Sequence, residues 1–129
     1  MFYCDTSALV KLLLEETESA ALRRFLGLGG KVASSELVVT ELARGVLRRA
    51  TGAEPRVAEV LRKLSLVTLD RELLELAGKL PPPTLRSLDA IHLATAITLR
   101  EELEAFVAYD DRLLEAASAL GLPVASPGL

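Results

Sequence analysis

Short apolar runs alternate along the chain with longer stretches in which apolar residues return every three or four positions, the periods of buried strands and of helices. FYC at 2–4 predicts a first strand, followed by helices over about 7–14 and 18–28. Gly27, Gly29 and Gly30 punctuate the chain before a second strand at 31–33. Ser34 or Ser35 can cap a helix running to about residue 50, in which Val38, Leu42 and Val46 recur at a four-residue step and Glu41 lies beside them. After a break at Thr51 and Gly52, Pro55 suits the first turn of a helix to about residue 63. SLVTL at 65–69 predicts a third strand, and Asp70 caps a helix that ends before Pro81, Pro82 and Pro83. A helix over about 84–100, capped by Thr84 or Ser87, precedes a fourth strand, FVAY at 106–109. Asp110 begins a last helix that Gly121 stops, PVAS forms a fifth strand, and Pro127, Gly128 and Leu129 look like a frayed tail.

Five short apolar strands separated by helices predict an α/β fold: a three-layer α/β/α domain with a central, mainly parallel five-stranded sheet. The length of 129 residues suits one domain spanning 1–129. Half the residues are hydrophobic, yet no apolar run approaches the roughly 20 residues needed to cross a bilayer, and MFYCDTS turns acidic before a signal-peptide core can form. A soluble, cytoplasmic protein with no membrane partner is therefore expected. The lone Cys4 reads as a small buried hydrophobe.

The segment SLDAIHLATA at 87–96 places an aspartate in a helix with no obvious water-facing side. Other acids share its neighbourhood if the sheet is parallel, because ligands then gather outside the carboxyl ends of the strands. Asp5 follows strand one, Asp110 follows strand four, Glu41 lies some two turns into the helix after strand two, and Asp89 about one turn into the helix before strand four. Four carboxylates are expected to converge. In a low dielectric they must raise their pKa values or hold a cation, and hard oxygen ligands select Mg²⁺ or Mn²⁺. Position by position there are blander readings: Asp5 and Asp110 as helix caps, Glu41 as a solvated helix charge. His92 reads as a hydrogen-bonded core residue outside the catalytic set, and Asp111 as a reserve ligand or a solvated charge.

Net charge is −3, so overall electrostatics do not draw in nucleic acid. Arg44, Arg48, Arg49, Arg56, Arg62 and Lys63 nevertheless make one pole locally basic, whereas 100–115 is acidic.

With those residues in view, the chain resembles the PIN-domain family and, within it, the VapC toxins of toxin–antitoxin pairs. The resemblance runs over DTSALVKLLLEE, SSELVVTELARG, SLDAIHLATA and AYDDRLLEAASALGLPVASPG, almost the entire length. It implies a Mg²⁺- or Mn²⁺-dependent ribonuclease whose acids correspond to Asp5, Glu41, Asp89 and Asp110, the first, third and fourth as direct or water-mediated ligands. Ser7, or Thr6, is expected to fix the Asp5 rotamer. Arg44 and Arg48 are expected to track the RNA backbone. The resemblance further implies a small VapB-like antitoxin and a homodimer. Family members often carry Ser or Thr two residues before the last acid, where this chain has Ala108.

Other folds with acidic pockets fit less well. A receiver-type signalling domain needs paired acids after strand one and a lysine after strand five, and a DxD phosphohydrolase needs a second acid where this chain has DTS. The remaining rival is a catalytically weak PIN-like module that binds RNA or regulates without cutting.

Overall fold

The computed structural model describes residues 1–27, 30–49 and 52–129. The elements run β1 (Phe2–Cys4), α1 (Thr6–Leu13), α2 (Ser19–Gly27), β2 (Val32–Ser35), α3 (Val38–Arg49), α4 (Glu54–Arg62), β3 (Ser65–Val67), α5 (Arg71–Ala77), α6 (Ser87–Thr98), a 3₁₀ turn (Arg100–Glu102), β4 (Ala105–Val107), α7 (Asp111–Ala119) and β5 (Val124–Ala125). The expectations at residues 28, 29, 50 and 51 lie outside the described residues.

The strands form one sheet in the order β3-β2-β1-β4-β5, and every neighbouring pair is parallel. Chain order reverses between β1 and β4. An α/β sheet opens a crevice there, outside the strand ends, because the flanking crossovers depart to opposite faces.

Alternation along the central strands builds the two cores. Phe2, Cys4, Ala105 and Val107 face α1 to α4, where Leu9, Leu13, Leu22 and Leu42 are fully buried. Tyr3, Phe106 and Ala108 face the other way, against Leu93 of α6 and Leu113 of α7. Full burial of one such leucine contributes about 1.5–3 kcal/mol. The α3 line Val38, Leu42 and Val46 is buried as expected. Helix α6 packs on α5, α7 and β2, with Ala90, His92, Leu93, Ala94, Thr95 and Ala96 all buried, which is why it shows no polar side.

Three local expectations are corrected. Ser34 does not cap α3, whereas Ser35 Oγ accepts from Leu37 N–H at 3.1 Å in the turn that leads into it. Both residues belong to β2, where Ser34 Oγ donates to the Cys4 carbonyl at 2.6 Å and Ser35 pairs with Val67, so for Ser34 the neighbouring strand outcompetes the cap. Helix α3 therefore starts at Val38 and Glu41 sits in its first turn. Neither Thr84 nor Ser87 caps α6, whose cap position is Arg86 without a side-chain bond; Asp89 occupies the first turn, where the helix dipole favours an anion. The tail is not frayed: the Tyr109 hydroxyl donates to the Pro127 carbonyl at 2.7 Å and Leu129 N–H to Ser126 O at 3.2 Å. Asp70 does cap α5, accepting from Leu73 N–H at 2.8 Å.

Candidate functional site

Asp5 leaves β1 at the switch point and caps α1. Its Oδ1 accepts from Ala8 N–H at 3.1 Å and from Ser7 Oγ at 2.6 Å. No hydrogen bond among the described residues reaches Oδ2, yet no fully buried side-chain oxygen there is left without a partner, so Oδ2 keeps some access to solvent. The residue is 4 % exposed. Burial pushes its carboxyl up to about 6; the Ser7 hydrogen bond, the attraction of His92 when protonated and the Ala8 N–H pull back, and the Asp89 charge adds to the rise.

Asp110 repeats the device one strand over. It caps α7 through Oδ1, which accepts from Leu113 N–H at 3.1 Å, while Oδ2 lies 3.4 Å from Arg86 Nη2. The same guanidinium places Nε 3.2 Å from Asp89 Oδ2, so Arg86 bridges the two acids. The cap reading of Asp5 and Asp110 holds, and it engages only Oδ1 of each, leaving Oδ2 of Asp110 to the exposed Arg86. Asp111 is exposed at the start of α7 and takes no part in these bonds. Ala108 is fully buried in the α6–α7 core, and Asp110 is oriented without help from that position, by Leu113 and Arg86.

Glu41 turns inward rather than to solvent. Its Oε1 accepts from Thr6 Oγ1 at 2.5 Å and lies 2.7 Å from His92 Nε2. Burial alone would raise this carboxyl, but the bonds from His92 and Thr6 outweigh it and hold it below its ordinary value. Ser7 therefore serves Asp5, as expected, whereas Thr6 serves Glu41.

The four acids stand at one rim but do not form a single cluster. Among the described residues, no three His, Cys, Asp or Glu side chains converge closely enough to ligate one ion as they are arranged. Charge repulsion is relieved instead by separation: Glu41 is drawn to His92, and Arg86 stands between Asp89 and Asp110.

A cavity of about 290 Å³ flanks Glu41, lined by Thr6, Ser7, Lys11, Arg48, Arg49 and Tyr109 among others. Lys11 Nζ sits 4.7 Å above the Tyr109 ring. Arg48 is where the basic pole meets the acids. Arg44 is exposed and does not line this cavity. Sequence reasoning placed Arg49 only in the basic pole, missed Lys11 and Arg86, and gave His92 no link to Glu41. A cue for Arg86 was available in its position three residues before Asp89 on a helix start.

The family model for the PIN domain matches residues 2–119. The chain belongs to the PIN-domain family. This PIN domain is 44% identical over 125 residues to ribonuclease VapC46 of Mycobacterium tuberculosis, covering 97% of this chain and 96% of that one. It is 45% identical over 133 residues to ribonuclease VapC47 of the same species, covering 99% and 98%. Among solved structures, the M. tuberculosis toxin VapC20, described as cleaving the sarcin-ricin loop, aligns with a TM-score of 0.75 at 18% identity over 98% of this chain and 100% of that one. A toxin–antitoxin complex from Klebsiella pneumoniae aligns with a TM-score of 0.74 at 22% identity, covering 98% of each chain. The α/β/α architecture of this PIN domain is thus that of known toxins.

Proposed function

We propose that this PIN domain is a VapC-type ribonuclease toxin that hydrolyses RNA phosphodiester bonds with the aid of Mg²⁺ or Mn²⁺. The observation that carries this reading is the pair of acids at the switch point, Asp5 and Asp110, each using Oδ1 to cap a helix, with Oδ2 of Asp5 unbonded among the described residues and Oδ2 of Asp110 paired only with the exposed Arg86. The near-full-length likeness to two VapC ribonucleases supports the choice of RNA.

Asp5, Asp89 and Asp110 would hold the ion, and Glu41 would complete the acidic rim. Their chemistry fits, because every donor is a hard oxygen. Arg86 already supplies positive charge between Asp89 and Asp110 from an exposed position, and such pairs contribute about 1 kcal/mol or less, so a divalent cation can displace it. When bound, the ion supplies Lewis acidity toward a water and offsets charge at the scissile phosphate. The chain's own residues do the rest. Ser7 fixes the Asp5 rotamer, Thr6 and His92 fix Glu41, and Arg48, Arg49 and Lys11 offset the cost of bringing a polyanion to an acidic rim.

The partners come from the same reading: an RNA substrate, a small VapB-like antitoxin and a second copy of the chain, in the cytoplasm. Among the described residues no helix is long and apolar enough to cross a membrane, and Val39, Leu47, Leu74 and Leu88 offer exposed apolar contacts. Light scattering of the purified chain, alone and with the product of a neighbouring reading frame, tests both assemblies.

Cleavage of a mixed RNA pool decides the activity. The wild type should cut with Mg²⁺ or Mn²⁺ and stop in EDTA, while Asp5→Asn and Asp89→Asn should cut little under any condition. Equal cutting by all three removes the ribonuclease reading. Binding without cutting by the wild type replaces it with the RNA-binding module.

A further inference from the structure

Tyr3 faces away from Phe2 and Cys4, toward α6, and its hydroxyl lies 2.7 Å from His92 Nδ1. On the other side of the ring, Nε2 lies 2.7 Å from Glu41 Oε1 and 3.2 Å from Thr6 Oγ1. Tyr3 is fully buried and His92 is 2 % exposed. A buried polar path therefore joins β1, α6 and α3, and it ends on one of the four acids.

The directions of these bonds follow from what each group can do. An ionised carboxylate only accepts, so the nitrogen facing Glu41 carries a proton. The other nitrogen of a neutral imidazole is then an acceptor, and it faces a phenol able to donate. Tyr3 O–H donates to Nδ1, and Nε2–H donates to Glu41. Phe106 stacks on Tyr3 with ring centroids 5.4 Å apart, so the phenol has little room to turn.

We propose that Tyr3 and His92 are positioning residues of the acidic rim: the buried hydroxyl holds the imidazole in its Nε2–H form, and the ring ties one Glu41 oxygen inward so that the other serves the crevice. This deepens the ribonuclease reading and rests on it for the role of Glu41, though not for the hydrogen-bond path itself. Neither residue touches RNA, so their removal should lower kcat and leave KM nearly unchanged. Loss of an outer partner of a liganding group typically costs about 10–100-fold.

Because His92 is the single histidine of the chain, its ring nitrogens can be read without assignment ambiguity. In untagged, ¹⁵N-labelled protein at pH 8, long-range ¹H–¹⁵N spectra should show Nε2 protonated and Nδ1 as a hydrogen-bonded acceptor. In Tyr3→Phe the Nδ1 resonance should move toward that of an unbonded pyridine-like nitrogen, with kcat down about 10-fold at constant KM. His92→Gln, whose amide N–H can still reach Glu41, should keep more activity than His92→Leu, and that comparison decides the matter if Tyr3→Phe does not fold. A wild-type spectrum with the proton on Nδ1 overturns the proposal, as does wild-type kcat in folded Tyr3→Phe and His92→Leu. If the wild type cuts no RNA, the ribonuclease reading fails alone and the spectrum still judges the path. If it cuts and the variants cut equally, the positioning role fails alone.

Discussion

Ser7 and Tyr109 meet across the switch point: the Tyr109 backbone N–H donates to Ser7 Oγ at 2.9 Å, and that hydroxyl donates onward to Asp5 Oδ1 at 2.6 Å. One side chain thus ties the segment before α7 to the acid after β1. Ser7→Ala leaves the Tyr109 N–H without its partner and removes a donor from Asp5, so it should cost about 1–3 kcal/mol in urea unfolding. The lost donor also drives the Asp5 carboxyl further up. The pH–rate profile for RNA cleavage should therefore shift its acidic limb to higher pH.

Asp5 makes the metal-free protein less stable as pH rises. The carboxyl sits at about 6 when folded against an ordinary 3.8, so the folded state holds its proton longer. Below 3.8 both states are protonated and nothing is lost; between there and about 6 the unfolded chain releases its proton first, and above 6 the full cost stands. The difference of about two units corresponds to about 3 kcal/mol. In EDTA, Asp5→Asn should be more stable than the wild type by up to that amount at pH 8, with the gap closing near pH 4. Added Mn²⁺ should stabilise the wild type and not the variant, and thermal melts across pH read both effects.

Removing Arg86 should help a divalent ion. Its guanidinium stands 3.2 Å from Asp89 and 3.4 Å from Asp110, and its side chain is 74% exposed. Titration calorimetry should find Mn²⁺ binding to Arg86→Ala tighter by about fivefold, the equivalent of about 1 kcal/mol for an exposed pair. Weaker binding would show that Arg86 gathers the acids rather than competes for them.

Arg48 and Arg44 should separate in salt titrations of RNA binding. Arg48 lines the cavity beside Glu41 and Arg44 does not. Each lost phosphate contact on single-stranded RNA flattens the slope of log K against log salt by about 0.7. That change is expected for Arg48→Ala and Arg49→Ala, with a smaller one for Arg44→Ala.

Gly128 holds the C-terminal segment where any side chain would be strained. Its φ is +95°, and a Cβ there would lie 3.1 Å from the Glu18 Cβ and 3.2 Å from the Ala21 Cβ and the Glu18 Cα. Gly128→Ala should release the Tyr109 hydroxyl from Pro127 and lower stability by about 1 kcal/mol or more, visible as faster hydrogen exchange at Leu129, whose N–H donates to Ser126 O.

The fold was legible because strands buried on both faces read as apolar runs, and the helix faces read at their own period, as Val38, Leu42 and Val46 do. Asp5 and Asp110 were legible as neighbours because a parallel sheet brings the residues just beyond its strand ends to one edge, whereas the four acids expected to converge form no single cluster among the described residues. Local polar competition was not. A serine that can cap a helix can equally bond a neighbouring strand, and Ser34 does the latter. Nor does residue order reveal that Thr6 and His92 share a carboxylate with a residue 35 and 51 positions away. Arg86 was hidden for a related reason: a side chain that neutralises two acids from separate helices shows only its local spacing.

The β1–β4 pairing brings residues 2–4 beside residues 105–107, about a hundred positions apart. Closing a loop of that length comes late and must be followed by cooperative packing. A polypeptide that stops short of Ala105 has only β1, β2 and β3 of the five strands and lacks Asp110, so the hazardous chemistry arrives only with a finished molecule. The same topology makes the active surface one of the first things lost when the sheet parts along its central seam.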